Sequence, residues 1–170
     1  MRLLLLLTFL NLVIAAQDTI VRRSSHGVAE LITIKKGDSS EVRSYYPNGV
    51  IKRISHYKDS KLDGLDYNYS SNGVLEQLDS YSANILEGVC NTYYPDGKLR
   101  ETGTYSAGLP EGLFTSYYSS GKIFSTAAFR GGKKEGMSYE YYESGKVSEE
   151  SNFEANNKEG IGTAYYEDGK

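Results

Sequence analysis

The sequence predicts an all-β protein, an elongated single-layer antiparallel sheet of tandem 24-residue β-hairpins. Three observations lead there. Gly49, Gly73, Gly97, Gly121, Gly145 and Gly169 recur every 24 residues, and Gly64, Gly88, Gly112, Gly136 and Gly160 keep the same spacing without an insertion. Self-similarity at one fixed period marks a repeat architecture. The first series follows Asn48, Asn72, Asp96, Ser120, Ser144 and Asp168, giving dipeptides that close β-hairpins because Gly accepts positive φ and Asn or Asp tolerates it. All 16 tyrosines also fall at four phases of the period, those of Tyr45, Tyr46, Tyr57 and Tyr67. Tyrosine is therefore first of all a structural part of the repeat.

Taken along the chain, the first element stands apart. Arg2 precedes the apolar run Leu3 to Ile14, and Ala15, Ala16 and Gln17 follow, the pattern of a cleavable signal peptide over residues 1–16 with the cut after Ala16. The run is 12 residues long, short of the roughly 17 to 25 needed to span a bilayer. The expectation is export, either secretion or a periplasmic or cell-envelope location. Residues 17–39 read as a degenerate capping hairpin, since Ser25 and Ser40 stand where glycines would fall while Leu31, Ile32 and Ile34 still suggest a strand. Residues 40–170 form the array.

Within the array each unit reads as strand, tight turn, returning strand and connector, for example Ser106 to Glu111 leading to Gly112. The entering strand supplies the column Leu65, Val89, Leu113, Met137 and Ile161. The returning strand opens with Ile51, Leu75, Leu99, Ile123 and Val147 and carries Tyr57, Tyr81, Tyr105, Phe129 and Phe153 six residues later. A lone hairpin is marginal in water, whereas stacked hairpins bury one another's side chains. Two strands per unit advance the sheet by roughly 10 Å, so five to six units span about 50 to 60 Å. The sequence stops at Gly169 and Lys170, at a turn; the expectation is either an edge strand open to edge-to-edge self-association or a truncated chain.

Composition narrows the function classes. A formal net charge of -3 and a pI near 5.5 provide no basic field for nucleic acid. Cys90 is the one cysteine, so no internal disulfide can form. Catalysis needs a nucleophile or base with an orienting partner, and His26 and His56, the two histidines, lie in no motif. Cys90 shares its phase with Asp66, Phe114, Ser138 and Gly162, which favours a small strand side chain over a reactive thiol. No catalytic, cofactor or metal residues are expected. Asp63, Glu87, Glu111, Glu135 and Glu159 precede the second glycine in every unit; about 10 Å apart, they are too far from one another to chelate one ion and are better placed to accept N–H bonds in the connector turns. Lys98, Lys122, Lys146 and Lys170 line the first turn, as solvated turn residues or as anchors for anionic lipid.

The second tyrosine column is the candidate partner surface. If the phase of Tyr45 packs inward beside Val89 and Leu113, then Tyr46, Tyr94, Tyr118, Tyr142 and Tyr166 line the opposite face, and a tyrosine stripe offers large contact area at low entropy cost. The alternative is that both tyrosine columns belong to the core.

The unit from Gly112 to Phe129, with Tyr117, Tyr118, Gly121, Lys122 and Ile123, resembles the MORN repeat, and most closely the bacterial MORN-repeat variant, some of whose members carry an antitoxin label. The resemblance covers about 40 to 170 and is broken once, where Ser70 replaces the second tyrosine. It implies the hairpin sheet; eukaryotic MORN arrays are associated with protein scaffolding, dimerisation and phospholipid proximity. The sequence thus leads to a noncatalytic exported scaffold mediating protein–protein interaction. An antitoxin or immunity-like inhibitor and an anionic-membrane binding module stand as alternatives.

Overall fold

Two kinds of turn alternate along the chain, and each is set by a different residue pattern. The structure, a computed structural model, describes residues 18–23 and 29–168. The expected signal peptide, Ser25, His26, Gly169 and Lys170 lie outside the described residues. Strands β1 (Asp18–Arg23) and β2 (Ala29–Lys36) open the chain. The pairs β3 (Ser39–Tyr45) and β4 (Ile51–Lys58), then β5 (Lys61–Tyr69) and β6 (Leu75–Ser82), follow. Next come the short β7 (Ile85–Leu86), β8 (Gly88–Tyr93) and β9 (Leu99–Ser106), and β10 (Leu109–Tyr117) with β11 (Ile123–Arg130). The last are β12 (Lys133–Tyr141), β13 (Val147–Glu154) and β14 (Asn157–Ala164). Among the described residues they form one antiparallel sheet in sequence order, with β7 pairing only β6. The protein is therefore all-β, as the period requires.

The turn inside each unit is a three-residue loop. In the β10–β11 hairpin the Tyr118 N–H donates to the Lys122 carbonyl and the Gly121 N–H to the Tyr118 carbonyl, both at 2.8 Å. Gly121 has φ 88° while Ser120 keeps negative φ. That is a type I turn closed by a left-handed glycine, rather than a dipeptide with both residues at positive φ. The same bonds recur around Gly49, Gly73, Gly97 and Gly145.

The connectors hold the two-residue turns. Asp59-Ser60, Ala83-Asn84, Ala107-Gly108, Gly131-Gly132 and Ala155-Asn156 have positive φ at both positions, the type I′ geometry that matches strand twist. An alanine there costs about 1–2 kcal/mol, and bonds from the preceding unit offset it. The Glu87 carboxylate accepts the Ala107 N–H at 2.7 Å, and Asp63, Glu111 and Glu135 do the same for Ala83, Gly131 and Ala155. The second turn residue also donates backward, as Gly108 does to the Leu86 carbonyl at 2.9 Å. Each turn thus sits on the turn before it.

Laterally paired residues share a face of a sheet. One row runs across the middle of what we call face A: Ser55 pairs Asp66 and Asp66 pairs Asp79, Cys90 pairs Gly103, Phe114 pairs Ala127, and Ser138 pairs Ser151. Tyr57, Tyr81, Tyr105, Phe129 and Phe153 lie two residues to one side of it. On the strands beside the last four stand Gly64, Gly88, Gly112 and Gly136. Those glycines all have positive φ and occupy bulges that give the entering strand two extra residues, as between Glu111 and Thr115 opposite Thr104 and Thr102. A bulge bends its strand and sharpens the twist.

No hydrophobic side chain among the described residues is buried. The entering aliphatic column, inward only if the Tyr45 phase packs inward, lies on the opposite face B and is open to solvent: Leu65 40%, Val89 51%, Leu113 61%, Met137 42% and Ile161 96% exposed. A single layer has nothing to cover that face. Both tyrosine columns are half-buried, apart from exposed Tyr166.

Replacing Ala107 by Gly should remove the left-handed cost of about 1–2 kcal/mol while adding about 0.4–1 kcal/mol of unfolded-state entropy. The expected outcome is an unfolding free energy, from urea titration, raised by a net of about 0.5–1 kcal/mol; a lowered value would contradict the turn assignment.

Candidate functional site

The middle row of face A is where the units stop being alike. At the phase of Ser55 the chain places Ser55, Asp79, Gly103, Ala127 and Ser151, all small except Asp79, and at the neighbouring phase Asp66, Cys90, Phe114 and Ser138. Small side chains make this row the floor of a trough. The aromatic column forms one wall. The other wall is the laterally paired row that includes Arg53, Gln77, Thr92, Glu101, Ser116 and Glu140.

At one end of the floor sits a buried carboxylate. Asp66 is 1% exposed and accepts bonds from Arg53 Nε at 2.9 and 3.0 Å, from the Ser55 hydroxyl and from Asn68 Nδ2 at 3.1 Å. A buried charge requires that kind of pairing. The carboxylate in turn raises the Arg53 pKa above its ordinary value, opposed by partial burial. Asp79, 6% exposed and paired laterally with Asp66, accepts from Gln77 Nε2 at 2.8 Å.

Cys90 continues the row. Burial is the first cause of its raised pKa of about 11, with the Asp79 carboxylate adding to it against a hydrogen bond to the Ser80 backbone. A nucleophilic thiol has the opposite shift. Beyond it, Phe114 crosses the floor, its ring centroid 5.5 Å from that of Tyr105 and 4.9 Å from that of Phe129, both edge-on. Gly103 makes room for that ring, since a Cβ there would meet its carbons at 2.2–2.5 Å.

Two hollows open along this trough. One, of about 210 Å³, lies between Tyr81 and Tyr105 and is lined by Gln77, Asp79, Leu86, Cys90, Thr92, Glu101 and Phe114. The next, of about 300 Å³, lies between Tyr105 and Phe129 with Glu101, Pro110, Phe114, Ser116, Ser125, Ala127 and Lys134. Moving Tyr81, Leu86, Cys90 and Thr92 on by 24 residues gives Tyr105, Pro110, Phe114 and Ser116, so the second hollow is the first shifted by one unit. The aromatic column was visible as a period in the sequence, but the hollows needed the register that faces it with Glu101 and Thr92.

The second tyrosine column is placed differently from the face-wide stripe expected for it. Tyr46, Tyr94, Tyr118 and Tyr142 are the residues from which the loops spring. Their hydroxyls donate at 2.6–2.8 Å to the carbonyls of Tyr69, Tyr117, Tyr141 and Tyr165, each 23 residues on. Tyr166 is 74% exposed. Lys98 and Lys146 reach forward in the same way, to the carbonyls of Ser119 and Glu167 at 2.7 and 2.8 Å. His56, on face B, sits against the Leu65 carbonyl with its Nε2 3.5 Å from Glu41, beside a hollow of about 570 Å³ that Ile34, Leu65 and Tyr67 also line. Among the described residues, no group of three or more His, Cys, Asp or Glu is placed to hold a metal ion.

The model of the MORN repeat variant family matches residues 40–59, 86–107, 110–129 and 134–155. The chain is a MORN repeat protein. The MORN matches flank 60–85, the stretch that carries Ser70, Asp66 and Asp79. No curated protein matches the chain. Among solved structures, the crystal structure of the GtfA/B complex is similar over 75% of this chain and 20% of that one, at 9% identity and a TM-score of 0.23. This chain spans about a fifth of that chain's length, and a likeness so slight carries no argument.

Two measurements check the site. Tyr118→Phe removes a bond between MORN repeats and should cost about 1 kcal/mol, whereas Tyr166→Phe should leave the thermal midpoint unchanged; equal shifts would contradict the repeat-to-repeat role. Cys90, its pKa raised from 9.0 to about 11, should react with a disulfide reagent at pH 8 roughly 100-fold slower than in the urea-unfolded chain. Its rate should climb as the pH rises towards 11, and a rate at pH 8 equal to that of the unfolded chain would contradict the burial.

Proposed function

We propose that this MORN repeat protein is a noncatalytic exported scaffold that binds another protein along the trough of face A. One observation carries the reading: the same aromatic-walled hollow occurs twice, displaced by one repeat. A catalytic pocket is a singular constellation, whereas a hollow that recurs with the lattice suits an extended partner touching successive repeats. The buried groups of the floor support the same view. Asp66 is saturated with donors and the Cys90 thiol is held protonated by burial. Export rests on the pattern of residues 1–16. The loop-edge tyrosines Tyr46, Tyr94, Tyr118, Tyr142 and Tyr166 offer a second contact surface through their ring faces, most openly at Tyr166.

Affinity capture from the native envelope tests this. Glu101→Lys reverses an exposed charge on the polar wall and should fold as the parent does; the partner should be lost or strongly reduced, while Tyr118→Phe should retain it. A partner held equally by Glu101→Lys would move the site off the trough. If the parent captures no protein but sediments with anionic liposomes, the scaffold reading gives way to the membrane alternative.

A further inference from the structure

The spacing of the hollows restricts what can lie in them. Successive repeats are two strands apart, about 9.6 Å. An extended β-strand repeats its side chains on one face every ~6.7 Å and falls out of step at once. An α-helix rises ~10.8 Å in two turns, slipping ~1.2 Å per repeat. A polyproline II helix rises ~3.1 Å per residue with three residues per turn, ~9.3 Å in all. It stays within ~0.3 Å of the lattice per repeat.

The chemistry of the trough points the same way. A polyproline II segment has no internal hydrogen bonds, so its carbonyls need donors, and its prolines need flat apolar surface. The aromatic wall supplies the rings of Tyr81, Tyr105 and Phe129 and the tyrosine hydroxyls, and the polar wall supplies the hydroxyl of Thr92, that of Ser116 being donated to Glu101 at 3.0 Å. Aromatic-lined grooves of this kind receive proline-rich segments at a small entropic cost, because the ligand is already ordered.

Charge decides the flanking residues. From β6 to β13 the floor and the polar wall carry Asp79, Glu101, Glu140 and Glu149. Beside the polar wall the Arg100 Nε donates to Thr92 at 3.3 Å. Lys134 and Lys158 belong to the aromatic wall, Lys134 over the Phe153 ring at 4.2 Å and Lys158 bonded to Glu149 at 3.1 Å. Glu101 and Glu140, both exposed on the polar wall, offer carboxylates to a basic ligand.

We propose that the trough binds a basic proline-rich segment of a partner protein in the polyproline II conformation, one turn per repeat, with prolines against Tyr81, Tyr105 and Phe129 and Lys or Arg towards Glu101 and Glu140. The proposal rests on the protein-binding reading above and names the class of partner.

Fluorescence-polarisation titration of the full chain with a labelled (Pro-Pro-Lys)4 peptide tests it, because a period of three sets every lysine on one side of the helix. Its 12 residues reach ~37 Å. Binding should weaken on the order of tenfold or more in (Ala-Ala-Lys)4, which keeps the charge and loses the preformed helix, and in (Pro-Pro-Glu)4, which reverses the charge. Glu101→Lys should weaken it by a similar factor, and (Pro-Pro-Lys)2 should bind less tightly than the longer peptide. Equal affinity for the proline and alanine peptides overturns the proposal, leaving nonspecific charge attraction. So does no binding to a folded chain, or binding of a β-1,4-linked hexasaccharide that competes with the peptide and is tighter. If the peptide fails while the envelope partner is still captured and is lost in Glu101→Lys, the scaffold reading stands and the partner is of another class. If capture fails as well, both fall.

Discussion

Hydrogen bonds between one repeat and the next hold this molecule in a single form, because the usual alternative is missing. Among the described residues no apolar side chain is buried, so no second layer supplies the hydrophobic term that dominates folding in ordinary domains. What replaces it is a ladder at three levels. The strands pair continuously, the acidic column caps the following connector turns, and the loop tyrosines donate to carbonyls 23 residues on. Among the described residues these bonds lie within a repeat or join neighbouring repeats, so stability is close to a sum of repeat and nearest-neighbour contributions. The strained alanines of the connectors are tolerated for the same reason: the unit before them satisfies both turn N–H groups.

The period also makes a surface. Every structural demand of the sheet recurs after 24 residues, and so does whatever the demands leave open. A small floor residue, a ring two positions on and a polar side chain two positions back give a trough whose cross-section repeats. Departures from that average are local. Asp66 and Asp79 enter the floor in the stretch between matched repeats, where Ser70 has also lost the loop tyrosine, and Arg53, Ser55 and Gln77 supply their partners. Gly103 and Phe114 depart together, the missing Cβ of one taking the ring of the other. A surface of this kind grips an extended partner at several equivalent places, and local departures set its polarity and charge.

The identity of the fold was legible because its determinants are local and periodic. Glycine at positive φ, alternation along strands and tyrosines at fixed phases specify hairpins without reference to anything distant in the chain. The acidic column could likewise be read as a set of turn acceptors. Less could be read of the turns themselves. The Asn-Gly and Asp-Gly pairs pointed to two-residue turns, whereas those occur at Ala83-Asn84 and Ala107-Gly108, where a bond from the preceding repeat makes an unfavourable backbone acceptable.

The sequence by itself determined the repeat, the antiparallel sheet and the classes of side chain in each column, since all of these follow from spacing along one strand. Only the tertiary structure decided which columns face each other, because register is set across strands by bulges and turn bonds that one strand does not contain. That is why the aliphatic column of Leu65 and Val89 proved open to solvent, why the hydroxyls of Tyr94 and Tyr118 bind the next repeat, and why the trough lies between Tyr105 and Glu101.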